Sequence, residues 1–393
     1  MQGMKRVTRS DYRTRLRELL RAFPAVMISG SRQCGKTTLA SMSLRGWKQL
    51  DLERRADAAL VAADPDAFLA ANPRKVVFDE AQMVPELFPA LRSAIDKGKG
   101  NGRFVLLGSI HPRLLRSVGE SLAGRVGFLE LTPLGCGELG DDGDARWFWG
   151  GYPGALSRKT SDRIDWFDAY VTTFVERDLA NAGLKLSPQR LRTLLHMLSH
   201  VHGNLLNASD LARSIGVSVP TIQNDIDVLE GGFLVRKLAP HFANIQKRLT
   251  KSPKVYLRDS GLLHFLGGLR KPSELTTWNG RGRSFEGLVI EELIQQISLR
   301  SKRPYFSFWR TQAGAEVDFL FDAGSGLVPV EIKVGSFDRH GLEGLRHCMQ
   351  DLGRKRGYLI TRAIDEETDA GNGITVLPWT SIVSGDLPKA WFR

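Results

Sequence analysis

The run Gly30-Ser31-Arg32-Gln33-Cys34-Gly35-Lys36-Thr37 fills all four fixed positions of the pattern G-x-x-x-x-G-K-[ST], and that pattern restricts the fold around it. It works only where a strand feeds a glycine-rich turn and a helix leaves it. Backbone N–H groups and a helix N-terminus then converge on phosphate oxygens. The flanks comply, with apolar Ala25-Val26-Met27-Ile28 before the turn and Thr38-Leu39-Ala40 opening a helical stretch after it. Gly30, Ser31, Gln33, Cys34, Gly35, Lys36, Thr37 and Thr38 are therefore expected around a nucleoside triphosphate. Lys36 neutralises its β- and γ-phosphates and the Thr37 hydroxyl holds Mg²⁺.

Lys48–Leu52 reads as a second strand, followed by a helical Glu53–Ala71. After Pro73, the run Lys75-Val76-Val77-Phe78-Asp79-Glu80 has the shape of a Walker B strand. There Asp79 orients Mg²⁺ and its waters while Glu80 polarises the attacking water, as in ATPases whose base directly follows the metal ligand. A further strand, Arg103–Ser109, ends on a hydroxyl, and ligands of such sheets sit beyond the carboxyl ends of strands. Ser109 is thus either a sensor of the γ-phosphate or a turn serine. Arg125, between a helical segment and the strand Gly127–Leu131, is either an arginine finger acting on a neighbouring subunit or one half of a surface ion pair.

At 393 residues the chain is long for one core, and two to four domains are expected. Its 42% hydrophobic and 25% charged residues are those of an ordinary globular protein, and no stretch approaches the ~20 apolar residues of a membrane helix. The arginine-rich Lys5–Arg21 includes Asp11 and Glu18 and reads as a leading amphipathic helix rather than a transit peptide. Cys34, Cys136 and Cys348 form no metal or disulfide pattern, which suits the cytoplasm. A net charge of +12 favours a polyanionic partner, although a merely basic surface would look the same.

Residues 136–186 carry Trp147, Trp149, Trp166 and Phe167 and read as a small lid, in which Arg177 is a second sensor or an intrahelical ion pair. Residues 190–240 have a winged-helix outline, with Leu191–Val201, Asp210–Ile215 and Ile222–Leu229 helical and Phe233–Leu238 a wing-like strand. Asn207 caps the second helix and Gly216 ends it. Helix–turn–helix geometry would point Ser218, Thr221, Gln223 and Asn224 at a major groove, while Asp225, Asp227 and Glu230 make that helix acidic. The basic run 246–254, with Lys247, Arg248, Lys251 and Lys254, offers phosphate-backbone contacts instead.

In the last third, Phe285-Glu286 opens a helix, Tyr305–Arg310 and Ala315–Phe321 are strands, and Val328–Val334 follows after a glycine turn. Strand alternation points Glu331 and Lys333 the same way, and Asp318 on a hairpin partner can join them. With Glu286 they could hold a divalent ion and serve phosphodiester cleavage. A hairpin with solvent-facing polar residues is the competing reading.

In this order the motifs resemble the bacterial and archaeal AAA+ ATPases whose C-terminal half is a conserved domain of unknown function. The likeness runs through G-S-R-Q-C-G-K-T, V-V-F-D-E-A-Q, L-L-G-S, S-L-A-G-R, the E-R-D helix, K-S-P-K-V-Y-L-R-D-S-G-L, E-V-D-F and E-I-K. It implies a P-loop parallel sheet of order 5-1-4-3-2 (residues 1–135), a helical lid (136–186), a winged helix (187–242) and a restriction-endonuclease-like α/β domain (243–393). It also implies the phosphate-loop, Walker B, sensor, finger and nuclease-like roles given above. Leu107 stands where that family has threonine, which weakens the sensor assignment. The expectation is a cytoplasmic, ATP- and Mg²⁺-dependent ATPase that binds DNA as a hexamer or other ring, without a membrane. An ATP-gated switch binding a protein, and an ATP-dependent nuclease with a second Mg²⁺ or Mn²⁺, are its alternatives.

Overall fold

The computed structural model describes residues 7–109, 122–140, 144–178, 186–241, 252–337 and 340–392. The chain divides into two compact units, one of residues 1–133 and 227–234 and one of 134–226 and 235–393.

The first unit is a parallel sheet wrapped by helices. Strands β1 (Ala25–Ser29), β2 (Lys48–Asp51), β3 (Val76–Asp79), β4 (Phe104–Gly108) and β5 (Val126–Glu130) lie in the order β2-β3-β4-β1-β5, the expected order read from the other edge. Every pairing is parallel, so all five carboxyl ends share one edge. The interior strand β1 is buried along its whole length, as sheets covered on both faces require. Helix α1 (Ser10–Ala22) buries Tyr12, Leu16 and Leu19, one face at helical spacing. Helix α2 (Lys36–Ser43) leaves the phosphate loop. The stretch read as one helix is two, α3 (Arg55–Ala63) and α4 (Pro65–Ala71), because Pro65 cannot continue α3 and the Asp64 side chain accepts the Ala67 N–H to start α4. Helix α5 (Leu87–Lys97) packs Leu87, Phe88, Leu91 and Ile95 into the core with β1, β3 and β4.

The second unit is built on a mixed sheet. Strands β8 (Tyr305–Arg310), β9 (Glu316–Asp322), β10 (Val328–Lys333), β11 (Gly357–Thr361), β12 (Thr368–Asp369) and β13 (Ile374–Pro378) lie in the order β12-β13-β11-β10-β9-β8. β8 to β10 form an antiparallel meander, whereas β10, β11 and β13 run parallel. A long helix, Arg281–Arg300, buries Phe285, Leu288, Val289 and Leu293 against Phe319, Phe321 and Val330. Trp147, Phe148 and Trp149, expected inside a separate lid, belong to this same core. Their large apolar rings are better removed from water by a sheet-backed helix than by a lid of short helices. Helices Pro188–His200, Ala208–Ile215 and Val219–Gly231 follow, then the two-stranded β6 (Val235–Leu238) and β7 (Lys254–Leu257), antiparallel with Leu238 opposite Lys254. No described helix is long and apolar enough to cross a membrane.

Candidate functional site

The parallel sheet delivers the phosphate loop from the end of β1 and the acidic pair from the end of β3. Gly30 is required by space, since a Cβ there would stand 2.0 Å from the Leu131 carbonyl oxygen. Gly35 is required by conformation, with φ 104° at the head of α2. The Lys36 ammonium, buried in the curl of the loop, donates to the carbonyls of Gly30 and Ser31 at 3.0 Å each. The Ser31 hydroxyl is buried and has no partner among the described residues. The Arg9 guanidinium donates to the carbonyls of Cys34, Thr132 and Pro133, tying the loop to the chain beyond β5. Thr38 lies exposed on α2, and Gln33 is exposed with φ 59°.

The Thr37 hydroxyl donates to Asp79 Oδ2 at 2.6 Å, across 42 residues of sequence. The hydroxyl and carboxylate expected to share a cation thus meet. Burial raises the Asp79 pKa, opposed by the Thr37 hydrogen bond and reinforced by the neighbouring Glu80. Asp79 Oδ1 accepts the Glu80 N–H at 3.0 Å, and Glu80 itself sits at φ 49°. A non-glycine residue held there is strained by ~1–3 kcal/mol, a load typical of functional turns. The Glu80 carboxylate accepts the Gln82 side-chain amide and the Ser109 hydroxyl, the latter at 3.3 Å. A hydroxyl, a metal-ligating carboxylate and a second carboxylate held by an amide are the parts a Mg²⁺–triphosphate needs, and the donor set fits that group.

Arg125 forms a bidentate pair with Asp96 of α5, at 2.6 and 2.9 Å, and also donates to the Ala123 carbonyl at 3.1 Å. The side chain of Arg177 lies outside the described residues, as do Lys247, Arg248 and Lys251. Gln223 and Asn224 are exposed on the helix Val219–Gly231. Asp225, counted as an acid on that exposed face, is instead fully buried and paired with Arg190 at 2.7 Å.

Lys254 requires a correction. It is 2% exposed, so it cannot reach a phosphate backbone from the surface. Strand β7 turns Lys254 and Tyr256 to one face, and both donate to Glu286 Oε1, at 2.9 and 2.5 Å. The same ammonium lies 2.5 Å from Glu316 Oε1 and 3.4 Å from Asp318 Oδ1. Glu331 and Lys333 do point together, 2.6 Å apart, and Asp318 Oδ2 accepts the Ile332 N–H at 3.0 Å. Glu286, Asp318, Glu331 and Lys333 therefore converge as expected, with Lys254 and Glu316 added. Glu331 Oε2 is buried without a hydrogen bond among the described residues, and burial, with Asp318 next in effect, pushes its pKa up to about 8. Glu291 and Glu292, further along the helix, bind Arg236 with Arg258 and the Cys136 N–H respectively.

Family models match this chain in three segments: an AAA domain over residues 22–140, a domain of unknown function (DUF8612) over 140–273, and a domain of unknown function (DUF4143) over 281–382. Uncharacterized proteins of Mycobacterium bovis and Mycobacterium tuberculosis are each 39% identical over 331 residues, 83% of this chain and 74% of theirs. The chain belongs to their family, AAA ATPases ending in a DUF4143 domain. Among solved structures, a Walker-type ATPase of Pyrococcus abyssi aligns at TM-score 0.46 and 15% identity, over 66% of this chain and 96% of its own. A Thermotoga maritima RuvB protein aligns at TM-score 0.32 and 17% identity, over 59% and 90%.

Arg9, Gln82, Tyr256 and Glu316 escaped the sequence reading, and Lys254 was assigned to another role. Arg9 acts through three backbone carbonyls and Gln82 through the Glu80 carboxylate, contacts that no spacing announces. Lys254 was legible in part, because K-V-Y-L alternates a lysine and a tyrosine on one strand face, yet its neighbours made it look like part of a basic tract. The AAA domain and the DUF4143 segment thus each present carboxylates with a lysine.

Proposed function

We propose that this AAA ATPase hydrolyses ATP with Mg²⁺ and uses the cycle to act on DNA as a homo-oligomer. The observation that carries the hydrolytic part is the Thr37–Asp79 hydrogen bond beside a Glu80 carboxylate held by Gln82 and Ser109. Lys36 and the loop amides bind the phosphates, Thr37 and Asp79 hold the cation, and Glu80 accepts the proton of the attacking water. The Arg125 guanidinium, held near the surface by Asp96 and the Ala123 carbonyl, would be the group that reaches a neighbouring subunit's nucleotide. Support for DNA is the +12 charge, the exposed Gln223 and Asn224, and the basic tract that includes Lys247, Arg248 and Lys251.

The test is ATP turnover at rising protein concentration with and without duplex, forked and single-stranded DNA. Turnover should rise more steeply than in proportion to concentration and increase with DNA, with DNA affinity falling as salt rises. Arg125→Ala should lose ~10³–10⁵ in rate, with ATP affinity retained. DNA affinity indifferent to salt, together with unstimulated turnover, would turn the reading toward a switch that binds a protein.

A further inference from the structure

The carboxylate cluster of the DUF4143 segment has the residue types of a metal-dependent phosphodiesterase, but its geometry does not fit a divalent ion. Among the described residues, no group of three or more histidine, cysteine, aspartate or glutamate side chains is placed to hold a metal. The reason is visible in what lies between the acids. Glu286 comes from the long helix, Glu316 and Asp318 from alternate positions of β9, and the oxygens that face inward meet the Lys254 ammonium at 2.9, 2.5 and 3.4 Å. A divalent ion shared by those oxygens would sit within ~2.0–2.6 Å of each, in space the ammonium fills. Three further oxygens of the cluster are committed as well. Asp318 Oδ2 holds the Ile332 N–H, Glu316 Oε2 holds Arg310, and Glu331 Oε1 holds Lys333.

We propose that Lys254 is the resident cation of this site. The domain keeps a nuclease-like constellation but fills its metal position with its own ammonium, and removing that ammonium converts the cluster into a divalent-cation site. Energetics agree with geometry. A lone buried ammonium is penalised by several kcal/mol, and so are three mutually repelling carboxylates, whereas together each offsets the other. The Tyr256 hydroxyl on Glu286 and the face of Phe308, 5.6 Å from the lysine nitrogen, line the same position. Among the described residues, Glu331 Oε2 is a buried carboxylate oxygen with no partner, and it marks where the freed site would extend.

The experiment counts Mn²⁺ bound per chain by equilibrium titration with electron paramagnetic resonance. It uses the nucleotide-free full-length protein carrying Asp79→Asn to silence the ATP site. In that background Asp318→Asn should leave the count unchanged. Lys254→Met, close in volume and uncharged, should add one site that a further Asp318→Asn removes. If the Lys254-containing protein already binds one Mn²⁺ that Asp318→Asn abolishes, the ammonium yields to metal and the proposal is wrong. A folded Lys254→Met protein that gains no site would overturn it equally. Should Lys254→Met fail to fold, the comparison of the parent with Asp318→Asn still decides.

Discussion

Lys36 and Lys254 are both buried lysines beside acids, and they are satisfied in opposite ways. The Lys36 ammonium is held by two neutral carbonyls of its own loop, so its charge is shared with dipoles but not cancelled. The Lys254 ammonium is held by three carboxylates from two elements, so its charge is consumed. Charge left over is what a phosphate binds; charge consumed is what a core tolerates. The carboxylates differ in parallel. Asp79 and Glu80 are half-buried at the open edge of a sheet, while Glu286, Asp318 and Glu331 are closed in. The same residue types therefore make a reacting site in one unit and a sealed polar core in the other.

Catalysis at the open site gives the largest effect that could break this contrast. Glu80→Gln should retain ATP binding and lose ~10²–10⁴ in turnover, because it removes the proton acceptor while keeping shape. Gln82→Ala, which frees the carboxylate without deleting it, should fall between the two with ATP affinity unchanged. Single-turnover hydrolysis alongside equilibrium binding reads both numbers. A Glu80→Gln protein at the native rate would remove the base from this position.

The open site was also the more legible of the two. A P-loop works through backbone fixed by glycines at set spacings, so Gly30, Gly35, Lys36 and Thr37 announce their roles in linear order. The Walker B pair followed because a short apolar strand ending in acids leaves a local trace, whereas the strand order came only with the family resemblance. The closed site depends on Lys254, Glu286, Glu316 and Asp318, which converge only through tertiary packing. The alternation in Lys254-Val255-Tyr256-Leu257 hints at a strand face, but the basic residues just before it make Lys254 look like part of a surface tract. Likewise Asp225 counted only as one of the acids of its helix until its partner Arg190, 35 residues away, was in place. Trp147 and Trp149 were legible as core residues, but which core they joined was not, since apolar rings carry no address.

A matched pair of substitutions sharpens the lysine comparison. Lys36→Met should abolish measurable ATP affinity and leave unfolding of the nucleotide-free protein nearly unchanged, since two loop carbonyls at the surface edge can turn to water. Lys254→Met should destabilise the second unit by ~3–5 kcal/mol, the penalty for breaking a buried ion cluster from one side. Adding Glu316→Gln should recover part of that loss, because one fewer buried charge is left uncompensated. Denaturant unfolding followed by tryptophan fluorescence suits this test, as Trp147, Trp149 and Trp309 all belong to that unit. Equal stability losses for the two lysines would erase the distinction.

The smallest effect is a dependence on pH whose sign differs between two variants. His264 is buried, and Trp147 Nε1–H donates to the Ser284 hydroxyl, which donates to His264 Nε2, while Nδ1–H donates to the Phe148 carbonyl. That chain satisfies the neutral ring only, and burial lowers the His264 pKa to about 4. Between its unfolded value near 6.5 and about 4, the unfolded state binds the extra proton, so this group removes stability as pH falls. Glu331 has the opposite sign. Its folded pKa of about 8 exceeds its unfolded value near 4.5, so within that interval the folded state binds the extra proton and the group adds stability as pH falls. Each group is worth ~1.4 kcal/mol per pH unit at most, and between about pH 4.5 and 6.5 the two oppose one another. Replacing His264 with Gln should therefore make the second unit less sensitive to acid over that window, and Glu331→Gln should make it more sensitive. Unfolding free energies measured at half-unit steps from pH 4.5 to 6.5 would show the two slopes diverging from the parent in opposite directions. Slopes that moved the same way in both variants would mean that Glu331 is ionised in the folded protein, and that the closed site is less closed than its geometry implies.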